Sequence, residues 1–441
     1  MIKILRSGLR TLSHSSLALG MALGITLAFH LPAGSLLAND LLLMSCFGFL
    51  CCTWRYWQAK LSGRLALLIL LSVLGFAAFT HQRLDLIAGL VRYRSVVELM
   101  FGIALLQRLV GRMGLQHWIM HYGSVLSLRW RALAFGGFAA LLALPLSMAT
   151  VALFSTVLSS IARPRLAGAK ISMRAVSLTM LILPTTVASA AVSASLPGLH
   201  YARVAILGAP LFVAGLLSLL RTRLQLCAPQ TAPVHPSRLM AYTLGFWGIF
   251  AAGLWAQLLI PECIALAGVL LYLIDCVSSQ RSATDAMHEV GSALQMGSAE
   301  IFLLLACGIM ASLIASQGSM SGIGLLVHSS WNHPSLASAL LIFALPCIAA
   351  LGVHPLILFN LIFPAVDSSI LGSLPLQYLS WTTMFLAAQL VSPVSISALL
   401  AASSLATSPT RTSYALHLKF VIFLCILTYG YLNLLRHLGI G

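Results

Sequence analysis

Apolar runs of about twenty residues, cut apart by short polar stretches, follow one another along the whole chain, and a helix needs a run of about that length to cross a bilayer. The pattern predicts helices near 15–32, 37–53, 65–80, 96–110, 173–196, 203–220, 239–259, 263–276, 300–316, 376–408 and 414–435. The first of these follows Lys3, Arg6 and Arg10 as a signal peptide would. Further spans come at once and no clear small-residue cleavage site is evident, so it is predicted to be a retained helix. Two other apolar regions, 132–160 and 335–373, do not fit as simple spans. As one helix, 132–160 would be roughly 43 Å long, too long for a hydrocarbon core of about 30 Å unless strongly tilted. Split at Pro145, neither arm is long enough to cross. Arg129 and Arg131 precede this region and Arg163 and Arg165 follow it. A re-entrant hairpin, entering and leaving on one side, keeps both basic pairs on that side; the tilted helix is the alternative.

Two of the spans are interrupted, at Pro184-Thr185-Thr186 and at Pro393-Val394-Ser395-Ile396-Ser397. A helix broken at membrane depth frees backbone groups that lipid cannot satisfy, so the break must be enclosed by protein or line a cavity. Paired breaks in corresponding halves point to a transporter binding site. Other landmarks also occur twice and in order. Glu98 and Glu300 each open a span, and Ala143-Leu144-Pro145 is matched by Ala344-Leu345-Pro346, at similar separations (145 − 98 = 47 and 346 − 300 = 46). Thr186-Val187 aligns with Ser395-Ile396, and Ser195-Leu196 with Ser404-Leu405. By the count of spans the two halves run in opposite senses, which predicts an inverted-topology repeat. The expected organisation is an N-terminal helix (1–36), a first repeat (37–220), a cytoplasmic linker (221–238) and a second repeat (239–441). The fold class is an all-α polytopic membrane protein, with about eleven transmembrane helices and two re-entrant hairpins.

Composition narrows the class further. With 60% hydrophobic and 8% charged residues over 441 positions, no polar region is long enough for a separate soluble domain. The net charge of +16 does not signal nucleic acid, because no aromatic-plus-basic cluster or nucleic-acid motif accompanies it. Basic residues in short loops instead set orientation. With the N-terminus inside, twenty of the twenty-five Lys and Arg residues fall inside, while Arg83, Arg92, Arg94, Arg203 and Arg436 fall outside. The basic loop 108–131, with Trp118 and Trp130, is expected along the headgroup surface. The nine cysteines include no C-x-x-C and lie mostly in apolar runs, so they read as packing residues.

In layout, and in Gly352-Val353-His354-Pro355 and Leu390-Val391-Ser392-Pro393-Val394-Ser395, the chain resembles the ion transporter superfamily. That superfamily includes divalent anion/sodium symporters, large membrane subunits of tripartite dicarboxylate transporters and arsenite permease-like proteins. The resemblance implies a homodimeric elevator, in which hairpins and broken helices carry substrate past a fixed scaffold. In the symporters the hairpin tips carry Ser-Asn-Thr; here the first tip reads Pro145-Leu146-Ser147-Met148-Ala149-Thr150, with no asparagine.

The residues expected to bind substrate or coupling ion are Ser147, Thr150, Thr185, Thr186, His354, Asn360, Ser395 and Ser397. Half-helix N-termini attract anions, while unwound carbonyls and hydroxyls suit Na⁺. The competing reading of each hydroxyl is helix packing. His354 can bond substrate or exchange a proton, and Asn360 can ligate or simply join helices. Asp367 is a candidate to compensate a coupling cation, or a side chain reaching the interface. Glu98 and Glu300 read as acids at helix N-termini. The expected activity is cation-coupled transport of a small anion across a bacterial inner membrane, N-terminus cytoplasmic and C-terminus periplasmic, with no cofactor beyond Na⁺ or H⁺. Lipid, the anion and a second copy of the chain are the expected partners. P-loop, H-E-x-x-H and G-x-S-x-G patterns do not occur. A polytopic enzyme of lipid-linked glycan metabolism and a channel or non-catalytic transporter subunit stay open as alternatives.

Overall fold

Predominantly apolar sequence, with polar breaks at short intervals, leaves the backbone one economical option: helices that satisfy their own hydrogen bonds. The computed structural model is accordingly helical, and it describes residues 2–31, 35–80, 85–112, 126–222, 224–226, 236–316 and 333–440. Among these, six stretches are long and apolar enough to cross a membrane: Leu61–Phe79, Tyr201–Arg221, Ile260–Ser278, Gly297–Ile314, Leu374–Ala402 and Pro409–His437. Shorter apolar helices accompany them at Ser15–His30, Leu36–Cys52, Trp130–Leu144, Met240–Trp255 and Pro334–Ala350. The chain is an all-α, membrane-embedded protein; a two-residue ladder, Ala162–Arg163 antiparallel to Gln225–Leu226, is a minor exception. Most of the loop 108–131 and most of the linker 221–238 lie outside the described residues.

The chain forms two compact units, and each draws on both halves of the sequence: Met1–Leu109 with Gly245–Gln317, and Val110–Leu244 with Gly318–Gly441. In the first unit the helices Ile2–His30, Leu36–Cys52, Leu61–Phe79 and Arg94–Arg112 run unbroken, as do Ile260–Ser278 and the 34-residue Ala283–Ser316. Small residues let their backbones approach. A Cβ on Gly102 would strike the backbone of Ala265, and one on Gly268 would strike Gly102. Gly89 and Gly308 meet in the same way. Ion pairs add polar contacts: Lys60 Nζ lies 3.1 Å from both oxygens of Glu300, Arg94 Nη2 3.4 Å from Glu262, and Arg281 3.2 Å from Glu289.

Two expectations for this unit need correction. The span near 300–316 is the apolar end of a helix that begins at Ala283. Hydropathy registers depth in lipid and passes over the polar turns holding Asp285, His288 and Glu289. Glu300 therefore sits in mid-helix, at the start of the apolar stretch Gly297–Ile314, and its charge is met by Lys60 instead of a helix terminus.

The second unit is built around Leu374–Val391, in which every side chain from Pro375 to Val391 is buried. A helix apolar on all sides belongs at the centre, yet this one carries Gln377, Tyr378, Ser380, Thr382, Thr383 and Gln389 inward as well. Region 132–160 is two helices, Leu128–Leu146 and Ala149–Ile161, folded back on each other at Ser147. Phe138 and Phe154, equally far along the chain from residue 146, touch with ring centroids 6.0 Å apart. Helix Leu166–Thr179 packs along both arms. Region 335–373 is less symmetric: Pro334–Ala339, a π-turn over Leu340–Ala344 and Leu345–Ala350 lead to a corner at Gly352 (φ 104°), then to the short Pro355–Ile362. The first interrupted span begins at Leu166, earlier than the expected 173. Arg174, expected at the inner end of this span, consequently lies two turns into the helix and is buried. Its Nε donates to His417 Nδ1 (3.3 Å), and its guanidinium stacks 4.4 Å over Phe420.

Candidate functional site: two tips and two breaks in the second unit

Proline at 184 and 393 removes a backbone donor and disfavours helix in the residue before it. The helices stop where this predicts. Leu166–Thr179 gives way until Val187–Ala194 begins, and Leu374–Val391 gives way until Ile396–Leu405 begins. One freed carbonyl, and one side chain beside the same break, find partners in the other half of the chain. Tyr378 Oη, from the second span, donates to Met180 O in the first break (2.9 Å). Gln389 Nε2 donates to Ser177 Oγ (3.3 Å), and each of these residues lies within one turn of the end of its helix.

The tips join the same place. Gln389 Nε2 also lies 3.4 Å from Met148 Sδ at the first tip. Ser392 Oγ donates to Val353 O at the second tip (3.2 Å). Gln389 O receives Ser395 Oγ (2.6 Å) and faces Ser397 Oγ (3.5 Å). Contacts through Gln389 and Ser392 thus bring both tips and both breaks together.

Of the eight expected residues, some have local duties. Thr186 caps the helix Val187–Ala194 in a reciprocal box with Ser189 (3.2 and 3.1 Å). Ser395 accepts from Ala398 N (3.3 Å), capping the second half-helix. Asn360 Nδ2 donates to Leu356 O in its own helix (2.9 Å); Asp367, a candidate outside the eight, accepts from Ser369 N (2.9 Å). Others are open. The hydroxyls of Ser147, Thr150 and Thr185 are buried without a hydrogen-bond partner among the described residues. His354 Nδ1 accepts from Leu356 N (3.2 Å), which leaves the proton on Nε2, itself buried and unpartnered. Buried polar groups of this kind need a water, an ion or a ligand. Ser147 also holds φ at 49°, a conformation costly for any residue but glycine.

Four helices of eight residues or more start directly after a tip or break: Ala149–Ile161, Val187–Ala194, Pro355–Ile362 and Ile396–Leu405. All four N-termini carry the positive ends of helix dipoles; the first-turn donors of Pro355–Ile362 are already taken by His354, through Nδ1 and its carbonyl oxygen. The helices that precede them end there too and present carbonyls. The surrounding charge agrees with the N-terminal half of that picture. The second unit contains fourteen Lys and Arg residues and one acidic residue, Asp367, a net of +13; the first contains eleven against eight, a net of +3.

Gln389, Ser177, Ser392 and Tyr378 were not among the expected site residues. The available signal was slight: Gln389 is one of two amides, with Gln377, in the apolar run that leads to Pro393. Fold and site define a helical membrane protein with a polar centre built from interrupted helices. No protein-family model matches the chain, and no curated protein matches it.

Proposed function

We propose that this chain is a secondary active transporter of a small anion, an organic acid or an oxyanion, coupled to Na⁺ or H⁺. One observation carries the reading: four helix N-termini and the unpartnered groups of Ser147, Thr150, Thr185 and His354 occur in a unit whose single carboxylate is Asp367, engaged in capping. Donors without competing acids suit an anion. The carbonyl ends that precede the same tips and breaks suit a partly dehydrated cation, as ion coupling requires. In this reading the chain has eleven spans and two re-entrant hairpins in an inverted repeat. It sits in a bacterial inner membrane, N-terminus cytoplasmic and C-terminus periplasmic, and works as a homodimeric elevator, as its resemblance to the ion transporter superfamily implies. Purified protein in liposomes, supplied with radiolabelled dicarboxylates and oxyanions, should accumulate one of them under an imposed Na⁺ or pH gradient. Equilibration without accumulation would mark a channel, and no uptake across the panel would remove the proposal.

A further inference from the structure

The first unit contains a cavity of about 360 Å³ that is polar at one end only. Its walls follow four helices: Leu19 to His30 on the first, Glu98 to Leu105 on Arg94–Arg112, Glu262 to Val269 on Ile260–Ser278, and Val290 with Leu294 on Ala283–Ser316. The eleven-residue advance from Leu19 to His30 makes it roughly 16 Å long. Glu98, Glu262 and His30 lie at one end, while Leu19, Leu105, Val269 and Leu294 enclose the other.

The two acids are not equivalent. Glu262 is occupied, accepting from Leu259 N (3.0 Å) and facing Arg94 Nη2 (3.4 Å). Glu98 is 6% exposed, and its Oε1 has no hydrogen-bond partner among the described residues. His30 Nε2 lies 3.3 Å away without the alignment of a hydrogen bond, and that side chain is 56% exposed. A buried carboxylate at the head of an apolar slot calls for a donor with positive charge, carried on something apolar.

From this we infer that the slot binds a bilayer phospholipid with an amine headgroup, its ammonium on Glu98 and an acyl chain along Leu19, Leu23, Leu266 and Val269. An anionic headgroup would set its charge beside Glu98 and Glu262 and is disfavoured. The inference is independent of transport and would stand if the proposed function failed.

The test reconstitutes the full chain in nanodiscs of equimolar phosphatidylethanolamine and phosphatidylglycerol, then measures by mass spectrometry the lipid kept after a detergent wash. Phosphatidylethanolamine should be enriched about five-fold, the ratio that about 1 kcal/mol of charge-assisted bonding gives. Glu98→Gln should bring that ratio to one while total retained lipid holds. Leu266→Trp, at a position 38% exposed, should fill the slot and lower retained lipid several-fold. Leu23→Trp, at a position 61% exposed, does the same from the opposite wall should the first variant fold poorly. Retained lipid at the bulk ratio, enrichment of phosphatidylglycerol, or equal retention by both tryptophan variants would overturn the inference. So would a self-associated wild type that the tryptophan variants convert to monomer, since a second copy would then be the occupant.

Discussion

The two units solve the same problem, burial of helices in lipid, by opposite means. In the first, helices run on without interruption, approach glycine to glycine at Gly102 and Gly268, and pair acids with bases at Lys60–Glu300 and Arg94–Glu262. In the second, helices stop partway, and hydroxyls, amides and a tyrosine meet the exposed backbone. Eight of the nine acidic residues belong to the first unit. An unbroken helix needs nothing from its neighbours except close packing, so acids such as Glu300 and Glu262 can serve ion pairs and caps. A broken helix needs donors and acceptors at depth, and neutral groups provide them without the desolvation penalty of a charge. Under the proposed function, the contrast gives the anion and its coupling ion to the second unit.

The largest effect should come from forcing the backbones apart. A Cβ at Gly208 would overlap Leu181 O beside the first break, so Gly208→Leu should destabilise by roughly 3 kcal/mol or more. Thermal unfolding and the monodisperse fraction in detergent would register it; an unchanged melting temperature would mean that the helix Tyr201–Leu217 does not lie against the break as described. Next comes Gln389→Leu, near in volume but unable to join the tips and breaks. Gradient-driven uptake should fall by at least about a hundred-fold, the effect of losing interactions worth roughly 3 kcal/mol, with the protein still folded by circular dichroism. Uptake within a factor of two of wild type would remove Gln389 from the site.

How much of this was legible depended on the kind of signal. Proline announces a break through its own covalent structure, so both interruptions and the corner near Pro145 could be placed from sequence. Polar partners of those breaks could not. Gln389 and Tyr378 look incidental in an apolar run, and only tertiary packing sets one 3.3 Å from Ser177 and the other 2.9 Å from Met180 O. Thr186 and Ser395 were legible as break residues, but not their work as caps, which depends on where the next helix starts. Segregation of acids into one unit was hidden because each unit is assembled from two distant segments. Burial of Arg174 over Phe420 was not legible, because a guanidinium packed inside the protein has the same letter as one at a helix end.

Smaller tests sharpen the contrast. Tyr378→Phe removes the donor to Met180 O and should cost about 1 kcal/mol, visible as a modest drop in melting temperature and a clear loss of uptake. Lys60→Met breaks the pair with Glu300 at a position 42% exposed. It should change stability by less than about 1 kcal/mol and leave uptake unaltered. If Lys60→Met harmed uptake more than Tyr378→Phe, the division of labour between the units would be reversed.

The bond from Tyr378 to the carbonyl of Met180 carries a mechanical implication. A phenol supplied by one half of the chain closes a gap left open in the other, and Gln389, three turns further along its helix, ties the same two spans again. Sliding either span past its mate would leave a bare carbonyl facing hydrocarbon, at a cost of several kcal/mol. Whatever displacement this protein undergoes must therefore carry the crossed pair as a single piece, with flexibility confined to the chain around it.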